Sequence, residues 1–344
     1  MKIETVETPG TEWDEFALSQ PGAMLGHAAA WAGVLARGYR LETRWLAARR
    51  AGGEVSGVLP LAFVPGLRGG RELVSLPYLD TAGVLAAEPE AAEALLEAAL
   101  ALARRRGASA LLIRSLAGDG ESPSPPDRVD LVLELAADVE AQWNAVRAKV
   151  RNQTRKAEKE GLTLIERDGA EQIDAFYEPF TINMRDLGSP VHARRFFAEI
   201  AAAFGDSARF VVTGLGARPV GGLVAIHYGD TVTIPWASTL RSERRRCPNN
   251  QIYWEALRWS VERGAARVDF GRSPRDGGTH RFKIGWGATP RELAWRRLAP
   301  DGTALALAAP GSSGLLAGLS RVWTRLPVAL ATKLGPPIRR RISS

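Results

Sequence analysis

Apolar positions recur along the chain with two spacings, every second residue and every third or fourth, and segments of the two kinds alternate. Early on, "WAGVLARGY" reads as the end of a helix, and "TRWLAAR" and "GVLPLAFV" read as strands around the turn at Gly52 and Gly53. "ELVSLPYLDTAGVLA" reads as a strand that runs into an irregular loop. The segment "PEAAEALLEAALALARRRGA" has Pro near its start, acids in its first turns, Arg104, Arg105 and Arg106 in its last turn and Gly107 behind them. That is the order of helix start and stop signals. "SALLIRSL" is then a strand, "AGDGESPSPPDR" a polar loop and "VDLVLEL" a further strand.

The alternation then begins again. A basic helix leads into "EQIDAFYEPFTINMRDLG" and "HARRFFAEIAAAFG", which read as helices. "ARFVVTGL", "VGGLVAIHYG" and "TVTIPWAST" form a meander of strands, "NQIYWEALRWSVERG" an amphipathic helix and "ARVDFGR" a buried strand. Two halves of similar order predict a duplicated α/β chain, although no residue-level repeat is visible. The expected division is 1–137, 138–300 opened by a basic helix over 138–160, and a basic amphipathic tail over 301–344.

Composition bounds what the halves can do. With 344 residues, 45% hydrophobic and 24% charged, the chain has material for two cores. A net charge of +7 suits phosphate-bearing partners or an anionic membrane surface, although an Arg-rich, Ala-rich composition also arises from a GC-rich genome. The single cysteine, Cys247, excludes an internal disulfide and a multi-cysteine metal site, which fits a cytoplasmic protein. The start "MKIETVETPGTEWDEF" lacks the apolar core of a signal peptide. No apolar run reaches the length of about 18 residues expected of a transmembrane helix.

Charge concentrates in two places. In "RAKVRNQTRKAEKEG", Arg147, Arg151, Arg155 and Lys159 are four apart and form one helical stripe. Like charges at that spacing repel by a few tenths of a kcal/mol (about 0.2–0.5 per pair), so local stability does not account for them. A solvated face and a phosphate-binding face both fit, the second because guanidinium matches phosphate oxygens. The other cluster is "DFGRSPRDGGTHRFKIGWG", where a strand ends at Phe270 and "THRFKIGW" starts a short helix with Thr279 as cap. Asp269, Arg272, Arg275, His280, Arg281 and Lys283 gather there, at the carboxyl end of a strand where open α/β sheets place ligands.

At these two clusters the sequence resembles the FemAB superfamily of acyltransferases. "KVRNQTRKAEKEGL" and "VDFGRS…GTHRFKIGWGATPREL" carry the likeness, with "SLPYLDTAG", "GSPVHARRFF" and "VWTRLPVALATKLGPP", and they are most similar to the branch found beside exosortase (PEP-CTERM) and exopolysaccharide loci. The resemblance implies two tandem GNAT-like domains with mixed central sheets. It implies transfer of an aminoacyl or acyl group to an amino group of a cell-envelope precursor, related to peptidoglycan or exopolysaccharide. The implied donor is aminoacyl-tRNA, otherwise acyl-CoA, with no permanently bound cofactor.

By the same resemblance Phe282 and Lys283 match the family's Phe-Lys pair at the acceptor site, where a cation stabilises the oxyanion of ester aminolysis. Lys149, Arg151 and Arg155 match its acceptor-phosphate helix. Tyr78 and Asp80 are candidate substrate contacts in the first half, with Asp80 able to orient the amine or take its proton, or serving only to form the turn after Pro77. Arg272 and His280 complete the substrate-binding set, His280 as a possible base. Lys283 is expected as an exposed loop lysine whose removal leaves the fold intact.

One stretch departs from the ordinary GNAT pattern. The turn that cradles CoA pyrophosphate on backbone amides reads "RSERRRCPNNQIYWEAL" here, with Pro248 and no Gly, which disfavours that cradle. Arg244, Arg245 and Arg246 can still meet phosphate, and Cys247 behind them has no identifiable His partner. The tail "SGLLAGLSRVWTRLPVALATKLGPPIRRRISS" suits either the inner membrane surface or a helix packed on the second half and broken at Pro327. Two other functions compete with Fem-type transfer. One is acyl-CoA-dependent N-acylation of an exopolysaccharide sugar. The other is nucleic-acid binding through the basic helix, although Trp143, Phe282 and Trp286 are not interleaved with basic residues as a stacking platform requires.

Overall fold

The structure, a computed structural model, describes residues 1–67, 69–118, 124–307 and 320–343. Its elements begin with β1 (Lys2–Val6), α1 (Thr11–Ser19), α2 (Trp31–Tyr39), β2 (Glu42–Arg49), β3 (Val55–Pro65), β4 (Arg71–Val74), β5 (Leu85–Ala86), α3 (Pro89–Arg105), β6 (Leu111–Leu116) and β7 (Arg128–Glu134). Next come α4 (Val139–Ala145), α5 (Ala148–Lys159), β8 (Leu162–Ile165), α6 (Gly169–Asp186), α7 (Arg194–Phe204), β9 (Ala208–Leu215), β10 (Arg218–Tyr228) and β11 (Thr231–Thr239). The remainder are α8 (Pro248–Glu262), β12 (Arg267–Asp269), β13 (Ser273–Pro274), α9 (Gly278–Gly285), β14 (Thr289–Leu298), β15 (Ala304–Leu305) and α10 (Val328–Arg339).

Two compact units result, and they depart from a division at 137 and 300. The first comprises Met1–Val129, Arg291–Ala308 and Arg340–Ser344, and the second Asp130–Pro290 with the described residues of Ala309–Arg339. Hydrogen bonding explains the difference. β7 follows β6 in sequence but pairs with β12 of the second unit, and β14 follows β12 but pairs with β6 of the first.

Each unit then has the same sheet. The first runs β1-β2-β3-β4-β6-β14 and the second β8-β9-β10-β11-β12-β7. In both, every neighbouring pair is antiparallel except the fourth and fifth strands, β4 with β6 and β11 with β12. Two helices lie between the first and second strands of each sheet and one between the fourth and fifth, so the expected duplication is present at the level of topology. The third strands, β3 and β10, are buried along nearly their whole length. They read as continuous apolar runs because both faces are covered.

Local signals account for the helices. In α3, Pro89 occupies the first turn with Glu90, and Arg104 and Arg105 close the last turn against the helix dipole. Its Leu95 and Leu102 pack with Leu46, Leu59, Phe63, Leu111 and Ile113 as the first core. The second core is aromatic: Phe176 and Phe180 of α6 meet Phe197 of α7, and Phe197 meets Trp236 of β11. Each such ring contributes about 1.5–3 kcal/mol by leaving water.

Three details correct the sequence reading. The basic stretch expected as one helix over 138–160 is two, because Val146 is extended and α5 starts afresh at Ala148. The α9 helix forms as expected, but Gly277 and not Thr279 is its N-terminal cap. The tail helix α10 begins after Pro327 and runs through Pro336 and Pro337. It packs closely in the second unit, where a Cβ on Gly335 would lie 2.8 Å from the backbone N of Val191. Among the described residues no helix is long and apolar enough to cross a membrane.

Candidate functional site

In the second unit β11 and β12 stay paired for only three positions, Thr231 with Arg267, Val232 with Val268 and Thr233 with Asp269. Beyond them β11 continues alongside β10, while Phe270 N donates to Leu131 O and the chain follows β7 instead. The strands therefore part at their carboxyl ends. Pro235 of β11 stands two residues past the last pair, where β12 no longer needs a backbone donor. Asp269 shapes the departing turn, its Oδ1 accepting from Gly271 N at 2.7 Å, and Gly271 takes the left-handed conformation that this turn requires (φ 70°).

Lys283 sits at this parting and is buried, 7% exposed, on α9. Its Nζ donates to Gly271 O at 2.9 Å and to Arg272 O at 3.2 Å, so the cation is fixed beside the end of β12. That overturns the expectation of an exposed loop lysine. Phe282 packs on Tyr253 with centroids 5.0 Å apart, and Tyr253 on Phe270 at 5.6 Å, which walls the same turn with aromatic rings. Burial pushes the Tyr253 hydroxyl well above the usual phenol range. One turn earlier on α8, Asn250 is buried and its Nδ2 has no partner among the described residues. Arg272, on the connection after β12, and His280, in the first turn of α9, are half-buried. Tyr253 and Asn250 were missed in the sequence, where they read only as part of an amphipathic helix.

The basic helix divides its charges. Arg151 Nη1 donates to Asn144 O at 2.8 Å and Val146 O at 2.9 Å and lies near Trp143 O, so it satisfies open carbonyls at the end of α4. Its Nη1 is thus committed to the fold. Arg155 stands over the Trp143 ring at 5.4 Å, and Trp143 rests on Trp254 of α8. Lys149 is exposed. Trp143, Phe282 and the buried Trp286 all face protein neighbours, which argues against a base-stacking platform.

The first unit holds Tyr78 and Asp80 in the loop after β4. Tyr78 is buried against Tyr39, and its hydroxyl donates to Arg340 O at 3.3 Å. Asp80 is half-buried, and its carbonyl accepts from Trp295 Nε1 at 3.0 Å. This loop is braced from below. A Cβ on Gly26 would fall 2.3 Å from Thr81 O, and His27 Nε2 lies 3.0 Å from Gly83 O while its Nδ1 accepts from Met24 N. Burial lowers the His27 pKa to about 4.

The loop before α8 does not fit a backbone cradle for CoA. Cys247 is left-handed (φ 58°), Pro248 has no N–H and Asn250 N is spent on Cys247 O. Arg246 is held by Glu160 and Glu243, which leaves the exposed Arg244 and Arg245 as the phosphate-competent groups of that loop. Cys247 packs beside Leu162 and Val220 as an apolar residue. A cavity of about 670 Å³ opens elsewhere in the second unit, at the start of β9 and lined by Arg209, Glu255 and Gln172, at the end of the sheet opposite the parting.

Residues 144–283 match the family model described as an acetyltransferase (GNAT) domain. Among solved structures the chain is similar to FemX, at a TM-score of 0.64 and 18% identity, covering 84% of this chain and 95% of that one. It is also similar to a tandem GNAT protein from the clavulanic acid biosynthesis pathway, solved without AcCoA, at 0.54 and 16%, covering 87% and 99%. L-PGS from Bacillus licheniformis matches at 0.54 and 12%, covering 93% and 98%. No curated protein sequence matches the chain. The chain therefore has the tandem GNAT-like fold, and residues 144–283 within it match the acetyltransferase (GNAT) domain model.

Proposed function

We propose that this protein transfers an aminoacyl or acyl group to an amino group of a phosphate-bearing cell-envelope precursor. The observation that carries the reading is Lys283, a cation held by two carbonyls where β11 and β12 part. In the reaction the acceptor nitrogen attacks the donor's carbonyl carbon. A C–N bond forms, the C–O or C–S bond of the donor breaks, and the proton lost by the amine leaves with the departing alcohol or thiol. Negative charge gathers on the carbonyl oxygen before the bond breaks. A cation fixed in advance stabilises that charge without reorganising. Phe282, Tyr253 and Asn250 wall the acyl group, Arg272 and His280 contact substrate at the same turn, and the exposed Lys149 and Arg155 meet the acceptor's phosphate.

The missing amide cradle before α8 favours charged tRNA as donor, in line with the FemAB resemblance. A second reading, acyl-CoA-dependent N-acylation of an exopolysaccharide sugar, draws on Arg244 and Arg245 as side-chain substitutes for that cradle. Titrating the purified protein with acetyl-CoA and with charged and uncharged tRNA at two salt concentrations separates them. Preference for charged over uncharged tRNA supports aminoacyl transfer; saturable, salt-insensitive CoA binding supports the sugar reading; binding of neither contradicts both. Peripheral contact with the inner membrane surface is assigned to α10, where Leu330 and Leu334, one turn apart, are 41% and 43% exposed beside Lys333. Failure to co-sediment with anionic vesicles removes that part alone.

A further inference from the structure

Strand β6 carries a charge where the fold needs none. Arg114 interrupts the apolar run "LLIRSL" and is 1% exposed. A guanidinium is buried that deeply only when its donors are used. Two point at the loop after β4: Nη1 donates to Leu79 O at 2.7 Å and approaches Leu76 O. The ring of Trp295 lies under the guanidinium at 4.7 Å. Ser75 opens the space it fills, its Oγ taking Arg114 N where β4 would otherwise have continued as a partner.

Another donor, on Nη2, meets the end of the described chain. Arg114 Nη2 donates to Ser343 O at 2.5 Å, and Tyr78 N donates to the same oxygen at 3.2 Å. Three residues back, Tyr78 Oη donates to Arg340 O at 3.3 Å. Two donors converging on one oxygen, with a third on a carbonyl one short stride away, read a main chain and not a side chain. The local backbone is bent to achieve this: Leu76 and Tyr78 both lie in the left-handed region, at φ 44° and 75°. Non-glycine residues are held there only when their surroundings demand it, and such positions cluster at ligand sites. The segment is anchored by its own arginines, Arg340 Nη2 on Arg40 O at the negative end of α2 and Arg341 Nη1 on Gly66 O.

We propose that the opening between β4 and β6 of the first unit is a binding site for an extended peptide, read through a main-chain carbonyl or carboxylate oxygen by Arg114 and Tyr78, and that Arg340–Ser343 hold it as an intramolecular occupant. A tethered occupant acts at an effective concentration on the order of millimolar, so it fills even a weak site and screens it from dilute ligands. The inference stands apart from the transfer reading, since it concerns binding in the other unit.

The test is fluorescence anisotropy with a labelled synthetic peptide of sequence RRRISS, at two salt concentrations, on full-length chains. The variant Arg340→Ala/Arg341→Ala, which loosens the tethered segment, should bind the peptide at least about tenfold more tightly than the unmodified protein. Adding Arg114→Lys to that variant, which removes the fork but keeps the charge, should weaken binding about tenfold. Adding Tyr78→Phe instead, which leaves the ring packing in place, should weaken it about threefold. Equal binding by the unmodified protein and the double variant overturns the inference, as does binding indifferent to both Arg114→Lys and Tyr78→Phe.

Discussion

In the first unit, β4 and β6 part after Val74 and Leu112, and the space closes on Arg114, Trp295 and residues 340–343. In the second, β11 and β12 part after Thr233 and Asp269, and the same place in the topology holds Lys283, Tyr253 and Phe282. One sheet order thus presents two chemistries. The parallel pair creates an opening wherever its strands diverge, because the backbone groups beyond the last pair must find other partners. What those partners are is left to a few side chains. A planar fork meets carbonyl oxygens in the first unit, and a point cation is held by two carbonyls in the second.

The comparison breaks most sharply at Lys283. Lys283→Ala should lower the transfer rate by about 10²–10³. Because Gly271 O and Arg272 O lose their donor, it should also cost about 1–3 kcal/mol of stability. Initial rates together with urea unfolding read both effects, and a fully active variant would remove Lys283 from the chemistry.

Acid should affect the first unit through its brace. His27 is neutral in the fold, donating from Nε2 to Gly83 O and accepting at Nδ1 from Met24 N, so a second proton would face an N–H. Its folded pKa of about 4 lies below the ordinary 6.5. Stability is therefore complete above pH 6.5 and lost as pH falls toward 4, by about 3 kcal/mol. Urea midpoints at several pH values should show this slope and lose most of it in His27→Gln. Buried His192, which accepts from Arg339 Nε and is also depressed well below 6.5, adds a slope of the same sign from the second unit.

Two neighbours on the basic helix sharpen the contrast between fold and ligand. Arg151→Ala should cost about 1–2 kcal/mol by uncovering the carbonyls that end α4. Lys149→Ala should change stability by less than about 0.5 kcal/mol and weaken binding of the phosphate-bearing acceptor. Thermal melts and acceptor titrations on the pair check this, and the reverse pattern would exchange their roles.

Much of this was legible in the residues. The alternating periods give the inner strands of both sheets and most helices, since burial on one face or two imposes the pattern directly, but the edge strands β1, β8 and β14 and the helix α1 were not read. The exchange of β7 and β14 was not legible, because hydrogen-bond partners of two apolar strands carry no mark in the sequence that says which parallel pair they will flank. At the candidate site, the turn from Asp269 to Lys283 was found from its charge, but not that Lys283 is buried, which depends on where α9 docks. Arg151 looked like its neighbours on the stripe, and only the break at Val146 makes it a cap. Two signals were present and unused: Arg114 as a charge inside an apolar strand, and Pro235 within a strand, which marks an edge.

The most direct test of the account is a transfer assay, in which isotopically labelled acyl donors, charged tRNA and acetyl-CoA in separate reactions, are incubated with the protein and an extract of bacterial envelope precursors, with products read by mass spectrometry. The account predicts label in amide linkage on a phosphate-bearing product from one of the donors, abolished by Lys283→Ala in a chain that still folds. Absence of labelled amide with both donors, or its undiminished formation by the variant, would contradict it.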